Sequence, residues 1–189
     1  QPNVYASALA YNKSYTFYCL IPKHSSEAYW EEIEIGAMKA VEARRDFYID
    51  LEIMYYSRLD PHSFIETYQK CLRQNPDGVI LVPTTLEVTR QFTDELHDRN
   101  IPFILLDSYM PSLQPLSFYG QDSIQSGRFA ARMLMLIAQK EESIMLMKQT
   151  KDGKMASRQQ ENREVGFRHY MEENFPNIKI LEVNLPLDE

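Results

Sequence analysis

Short apolar runs alternate with amphipathic stretches from Ser14 onward. The run TFYCLI (16–21) ends at Pro22 and is typical of a strand buried on both faces of a sheet. The following segment, 25–45, carries small and apolar residues at the spacing of one helix face. These residues are Ile33, Gly36, Ala37, Ala40 and Val41. The chain therefore begins as a strand followed by a helix.

The same alternation continues through four more strands, predicted at 47–56, 77–82, 102–106 and 116–121. Asp60 followed by Pro61 predicts the start of a helix that ends near 75–76. A further helix follows Pro83 and places Val88, Phe92 and Leu96 on one face, and another is predicted at 122–140. Five strands joined through helices predict an α/β fold, a doubly wound parallel sheet with helices on both faces.

The pattern then restarts with a strand at 143–148, a helix at 156–174 and a strand at 178–185. Such a unit has too little partner surface to close a core alone. The sequence therefore predicts a linker at 1–13, an N-terminal lobe at 14–140 and the beginning of a second, similar lobe at 141–189. On this interpretation the chain is a fragment of a longer protein.

Composition narrows the possible functions. A formal charge of −7 argues against this piece gripping a nucleic-acid backbone by itself. No apolar stretch is long enough to span a membrane, and the N-terminus shows no basic region followed by an apolar core. Cys19 and Cys71 fall inside apolar segments and are predicted to be buried and reduced. The four histidines lack metal-ligand spacing, so no metal or cofactor is expected.

Catalytic motifs are not evident in the sequence. There is no Walker phosphate loop, no nucleophile turn and no GxGxxG after the first strand. Asp107 and Asp122 would suit a glycosidase acid/base pair only at the right separation. Open α/β sheets also place such groups for binding alone, so a binding function is predicted and an enzyme is not.

Several motifs, taken in order, carry a family resemblance. They are PNVYASALAYNKS before the first strand, IPKHSSEAYWEEIEIGAMKA after it, NPDGVILVPTT, RNIPFILLDS, YGQDSIQSGRFAARML and NREVGF. Together they resemble the lactose-repressor (LacI) family of bacterial transcription regulators over essentially the whole chain. The resemblance implies an effector domain with the two-lobed fold of periplasmic binding proteins (type I).

The first motif resembles the hinge that joins the family's helix-turn-helix head to its effector domain. The resemblance places Leu9 where family members insert a leucine into the DNA minor groove. The alternative is a frayed linker, since so short a helix is unstable alone in water. Residues 1–12 contain no Lys or Arg, so phosphate contacts would come mainly from a head absent from this chain.

Ligand contacts are expected just after the strands, where doubly wound folds bind small molecules. The resemblance aligns Glu27, Ala28, Tyr29 and Trp30 with a family segment that often reads Asn-Pro-Phe-Phe and meets the ligand. Tyr29 and Trp30 would offer an aromatic platform for the apolar face of a sugar. Core packing is the alternative for these aromatics, and Glu27 departs from the sugar-binding pattern.

Three further residues complete the predicted site. Asp107 and Asp122 would accept sugar hydroxyls; the alternatives are a turn-stabilising role for Asp107 and a helix-capping role for Asp122. Arg163 matches the family's Arg-x-x-Gly-aromatic pattern, in which the arginine reaches the ligand from the second lobe. A surface salt bridge to Glu161 or Glu164 is the alternative for Arg163.

The resemblance implies a cytoplasmic, homodimeric regulator whose effector, expected to be a carbohydrate, binds between the lobes and changes operator-DNA binding. No membrane association is expected. The same fold and pocket would serve a periplasmic sugar-binding receptor or the sensor domain of a membrane signalling protein. The hinge-like motif and the missing signal sequence favour the regulator.

Overall fold

The structure is a computed structural model that describes residues 14–24, 28–58, 60–138, 140–151, 154–155 and 157–186. The predicted hinge with Leu9, and the predicted ligand contact Glu27, lie outside these residues. Contacts divide the chain into two compact units, Gln1–Gly120 and Gln121–Glu189. Each unit is described by itself.

A five-stranded parallel sheet forms the centre of the first unit. Its strands are β1 (Tyr15–Pro22), β2 (Ile49–Tyr56), β3 (Gly78–Leu81), β4 (Phe103–Leu106) and β5 (Ser117–Tyr119). They lie in the order β2-β1-β3-β4-β5, and every pairing is parallel. The order reverses direction between β1 and β3, which is the switch point where such sheets bind ligands.

Three helices cover the two faces of this sheet: α1 (Ala28–Glu42), α2 (Pro61–Arg73) and α3 (Leu86–Asp98). Successive residues of β1 point to opposite faces. Tyr18 and Leu20 pack in one cluster with residues of α2 and α3. Cys19 and Ile21 pack in another cluster with Trp30 of α1. The predicted doubly wound arrangement, with the first strand buried on both faces, is confirmed.

Local signals behave as the sequence predicts at α2 but only partly at α1. The Asp60 carboxylate accepts the His62 backbone N–H at 2.9 Å, and Pro61 occupies the first helical turn. In α1, Ala37 and Ala40 face the sheet across a groove of about 390 Å³. A Cβ added at Gly36 would meet nothing within 4 Å, because this glycine is exposed rather than packed.

The second unit contains α4 (Ser123–Ile137), β6 (Ser143–Lys151), β7 (Lys154–Met155), α5 (Arg158–Asn174) and β8 (Lys179–Pro186). The strands β6 and β8 pair in parallel, as the restarted pattern predicts. The two-residue strand β7 pairs antiparallel with β6 and lies between the predicted strand at 143–148 and the predicted helix at 156–174.

The helices α4 and α5 pack closely through two glycines. A Cβ added at Gly127 would overlap the backbone of Arg163, and one added at Gly166 would overlap the backbone of Ile124. Buried Ala131 and Met135 continue the contact beyond this crossing. This crossing packs α4 against α5 in the second unit, and the predicted lobe boundaries, 14–140 and 141–189, stay a prediction.

Candidate ligand-binding site

Predicted ligand contacts of the first unit meet at the carboxyl ends of its strands. Asp107 directly follows β4, and Tyr29 lies in the first turn of α1, which follows β1. The Tyr29 hydroxyl donates a hydrogen bond to Asp107 Oδ1 at 2.6 Å. The ring of Tyr29 is 54% exposed. Two predicted residues that are 78 positions apart in sequence thus form one polar and aromatic surface.

The backbone at Asp107 adopts a conformation that non-glycine residues rarely use. Its φ is 66°, in the left-handed region that aspartate tolerates better than most side chains. The Asp107 N–H donates to the Tyr119 carbonyl oxygen at 2.9 Å, and the Ser108 N–H donates to the Leu106 carbonyl oxygen at 2.7 Å. Backbone strain of this kind is concentrated at functional sites. These bonds fix the carboxylate at the end of β4.

Trp30, the neighbour of Tyr29, is 2% exposed and packs with Cys19, Ile21 and Val82. Its ring meets the Tyr29 ring edge to face, with centroids 4.9 Å apart and an interplanar angle of 80°. Trp30 therefore supports Tyr29 from below, and Tyr29 is the accessible aromatic of the pair.

Arg58 belongs to the same edge and was not among the sequence predictions. Its guanidinium carbon lies 4.6 Å from the centroid of the Trp30 ring, within the range of a cation–π contact. Arg58 follows the end of β2, and its side chain is exposed. The rule that residues after strands face the ligand would have found it, had it been applied to β2 as well.

Buried Tyr56 shows that Arg58 and Asp107 share an environment. The Tyr56 hydroxyl donates to the Val82 carbonyl oxygen at 2.7 Å. Burial raises the pKa of this phenol most, the positive charge of Arg58 lowers it, and the negative charge of Asp107 raises it. The opposite charges of Arg58 and Asp107 thus both influence the pKa of the buried Tyr56 hydroxyl.

The predicted residues of the second unit have local partners. The Asp122 carboxylate accepts the Gln125 backbone N–H at 3.0 Å and caps α4. An Arg163 Nη donates to the Gln121 side-chain oxygen at 3.4 Å. The salt bridges considered for Arg163 go to other residues, since Glu161 pairs with Arg158 and Glu164 pairs with Lys148 and Arg168.

The described part of the chain offers neither a metal centre nor a membrane span. No group of three or more His, Cys, Asp or Glu side chains in it could hold a metal ion. None of its helices is long and apolar enough to cross a bilayer.

A five-stranded doubly wound sheet with a polar, aromatic edge at its switch point defines an α/β protein built for small-molecule binding. The family comparison agrees: the periplasmic binding protein domain matches residues 17–189. The chain belongs to this family of binding proteins.

Solved structures share this fold. A protein from Bacteroides fragilis, provisionally described as a LacI transcriptional regulator, is 45% identical with a TM-score of 0.84, over 93% of this chain and 61% of that one. GanP, a glucose-galactose binding protein from Geobacillus stearothermophilus, is 22% identical with a TM-score of 0.76, over 91% and 58%. The sugar-binding protein of an ABC transporter from Bacillus halodurans is 20% identical with a TM-score of 0.75, over 90% and 56%.

The chain spans about three fifths of the length of these solved structures. Among curated proteins, none matches the sequence significantly.

Proposed function

We propose that this chain is the effector-sensing domain of a LacI-type transcriptional regulator and that its effector is a small carbohydrate. The observation that carries the proposal is the 45% identity to the Bacteroides fragilis protein across 93% of this chain. The other relatives are 22% identical or less and support only the fold. The hinge-like motif at 1–9 adds to the regulator interpretation.

The chemistry at the carboxyl edge of the first unit suits a sugar. A sugar presents apolar C–H faces together with a rim of hydroxyls, so it needs an aromatic surface beside hydrogen-bond acceptors. Tyr29 supplies the exposed ring and Asp107 the carboxylate, in direct contact with each other. Glu27, Asp122 and Arg163 remain proposed ligand contacts, and Trp30, which is buried, is proposed to act by holding Tyr29 in place. Catalysis is not part of the proposal, because the family and the similar structures are binding or regulatory proteins.

The proposed mechanism is a two-state switch in a cytoplasmic homodimer. The effector shifts the equilibrium between a DNA-binding and a non-binding state only by its different affinity for the two. DNA is bound by a helix-turn-helix head absent from this chain, with Leu9 of each hinge entering the minor groove. A change in hinge structure links the ligand-bound state to operator affinity.

A sugar-binding receptor outside the cytoplasm is the second candidate. It is favoured by the same fold in the glucose-galactose and ABC-transporter sugar-binding proteins. A receptor would bind sugar without binding DNA.

The two candidates are separated by one experiment on the full-length protein. It is incubated with a library of promoter fragments from its own genome at low salt, with and without a panel of sugars, and bound DNA is sequenced. The regulator proposal predicts enrichment of a palindromic site and a change in that enrichment with one sugar class. Sugar binding without DNA enrichment under every condition would overturn the regulator proposal and support the receptor.

A further inference from the structure

Arg58 is held in a defined position by the aromatic core of the site. The guanidinium lies over the Trp30 ring at 4.6 Å, and the buried Trp30 packs in turn against Tyr29. A guanidinium that stacks by its flat face keeps the N–H groups on its edges available for other partners. The contact with Trp30 therefore orients the N–H donors of Arg58 and leaves them able to form hydrogen bonds with a ligand.

The charge of Arg58 has no carboxylate partner at ion-pair distance among the described residues. Two other arginines of the first unit do have such a partner. Arg45 pairs with Glu42 at 3.0 Å, and Arg99 pairs with Glu95 at 3.1 Å. A positive charge stacked at the binding edge without such a partner provides a place for an anion.

Asp107 places a negative charge and hydrogen-bond acceptors at the same edge of the sheet. Its carboxylate already accepts the Tyr29 hydroxyl and can accept hydroxyl groups from a ligand, but it repels an anionic group. A ligand that carries both hydroxyls and one anionic group satisfies the two residues at once. A fully neutral sugar can donate hydrogen bonds to Asp107 but offers no carboxylate or phosphate oxygens to the paired N–H groups of Arg58.

We propose that Arg58 is a specificity-determining residue that binds the anionic group of an acidic carbohydrate, such as a hexuronate or a phosphorylated hexose, in preference to a neutral sugar. The inference rests on the proposed carbohydrate-binding function and names the chemical class of its ligand. Arg58 forms two parallel hydrogen bonds with the carboxylate or phosphate oxygens, while Asp107 accepts hydroxyls of the same ring.

The test measures calorimetric affinities of the full-length protein for matched ligands: glucose, glucuronate and glucose 6-phosphate, then galactose and galacturonate. The proposal predicts that at least one acidic member binds more tightly than its neutral counterpart, by roughly tenfold or more, as charge-assisted hydrogen bonds allow. The uronate and phosphate arms distinguish the two sources of negative charge. Raising the salt concentration should narrow the difference.

Variants assign the preference to this side chain. Arg58→Gln should bring the acidic and neutral affinities to within about twofold of each other, because a neutral amide cannot form charge-assisted hydrogen bonds with the anionic group. Arg58→Lys keeps the charge but loses the planar fork, so it should retain only part of the advantage. Arg45→Gln, an exposed arginine before β2, is the matched control and should change neither affinity. Urea denaturation checks that each variant keeps the packed core, because the Trp30 ring contacts Arg58 and its fluorescence would respond to the substitution itself.

The outcomes separate the inference from the function it rests on. Equal or tighter binding of neutral sugars in the wild-type protein, or an acidic preference that survives in Arg58→Gln, overturns the inference and leaves carbohydrate binding intact. Failure of every carbohydrate to bind overturns both.

Discussion

Asp107 combines an unusual backbone with a carboxylate in contact with an exposed aromatic ring. Its φ of 66° disfavours most side chains, yet asparagine adopts this region readily. Replacement of aspartate by asparagine therefore removes the charge without imposing a new backbone cost. This makes Asp107 a residue at which binding and folding can be tested separately.

We expect Asp107→Asn to weaken sugar binding by about tenfold or more, because hydrogen bonds to a charged group contribute roughly 1.5–3 kcal/mol. The free energy of unfolding should change by less than about 1 kcal/mol, since the Tyr29 hydroxyl keeps an acceptor. Calorimetric titration and urea denaturation measure the two quantities. Asp98→Asn, at the exposed end of α3, is the control and should alter neither. Unchanged affinity in Asp107→Asn would remove this residue from the ligand site.

The two cysteines should be chemically silent in the folded protein. Both are buried, and burial raises the pKa of each thiol to about 12. Cys19 packs on the α1 side of the sheet and Cys71 on the α2 side, so they cannot pair. Between pH 7 and 9 both remain neutral thiols, and we expect no alkylation by iodoacetamide before unfolding. Mass spectrometry of the peptides containing Cys19 and Cys71 checks this. Rapid labelling that increases tenfold per pH unit would contradict it.

At the scale of elements, the sequence predicts the first unit well because its signals are local. Continuous apolar runs bounded by Pro and Gly identify the strands, and Asp60 with Pro61 marks the start of α2. The parallel arrangement follows from strand–helix alternation alone. The packing partner of α4 cannot be predicted in this way, because it depends on the contact between Gly127 and Arg163, two residues that lie far apart in sequence.

Contacts within the candidate site also could not be predicted from local sequence signals. Tyr29 and Asp107 are predictable as residues that follow strands, but their hydrogen bond depends on the three-dimensional path of the chain. The stacking of Arg58 on Trp30 likewise joins the turn after β2 to the first turn of α1, which lie apart in sequence. Amphipathic periodicity cannot distinguish a tryptophan that faces a ligand from one that supports its neighbour.

The close crossing of α4 and α5 predicts a strong dependence on two glycines. Gly127→Ala and Gly166→Ala should each lower the free energy of unfolding by roughly 1–3 kcal/mol, because the added methyl group meets backbone atoms that cannot move aside easily. Gly36→Ala in α1 is the matched control. It should raise stability by about 0.5–1 kcal/mol, since its Cβ enters open space in a helix. Urea denaturation measures all three, and equal effects at the three sites would contradict the crossing.

A charge network links α5 to the strands of the second unit. Lys148 contacts Glu164 at 3.4 Å and Glu182 at 2.5 Å, and Arg168 contacts the same two carboxylates. The hydrogen bond from Lys148 lowers the pKa of Glu182 most, burial opposes this, and the charge of Arg168 lowers it further. The network's contribution is therefore complete above pH 4.5, the ordinary value, and is lost as pH falls through the lower folded-state pKa.

We expect Glu182→Gln to be less stable than the wild-type protein at pH 7 and to approach it as the pH falls below about 4.5. Denaturation curves recorded from pH 3 to pH 7 measure this convergence. Glu172→Gln, which alters an exposed carboxylate of α5, should run parallel to the wild-type curve throughout. A constant difference between Glu182→Gln and wild type at every pH would show that the network does not titrate in this way.

At the scale of the whole molecule, the proposed switch requires a second copy of the chain. The outer face of α1 offers an apolar surface for it, since Ile35 is 38% exposed and Met38 is 48% exposed. Both line a groove of about 860 Å³ that runs beside β2, the edge strand of the sheet. Charged side chains of both signs, including Glu34 and Lys39, also line this groove and suit a self-complementary contact. Ligand binding at the carboxyl ends of the strands leaves this face available.

If α1 forms the homodimer contact, Met38→Glu should convert the full-length protein from dimer to monomer by burying an unpaired charge at the interface. Sedimentation velocity across a hundredfold range of concentration measures the change. Leu116→Glu is the matched control, because Leu116 is 76% exposed and precedes β5 at the opposite edge of the sheet, and it should stay dimeric. Operator affinity should fall in Met38→Glu while sugar affinity is retained, since only DNA binding needs two paired heads. A dimer that survives Met38→Glu would place the interface elsewhere, and a wild-type protein that is monomeric at every concentration would make the homodimer proposal wrong.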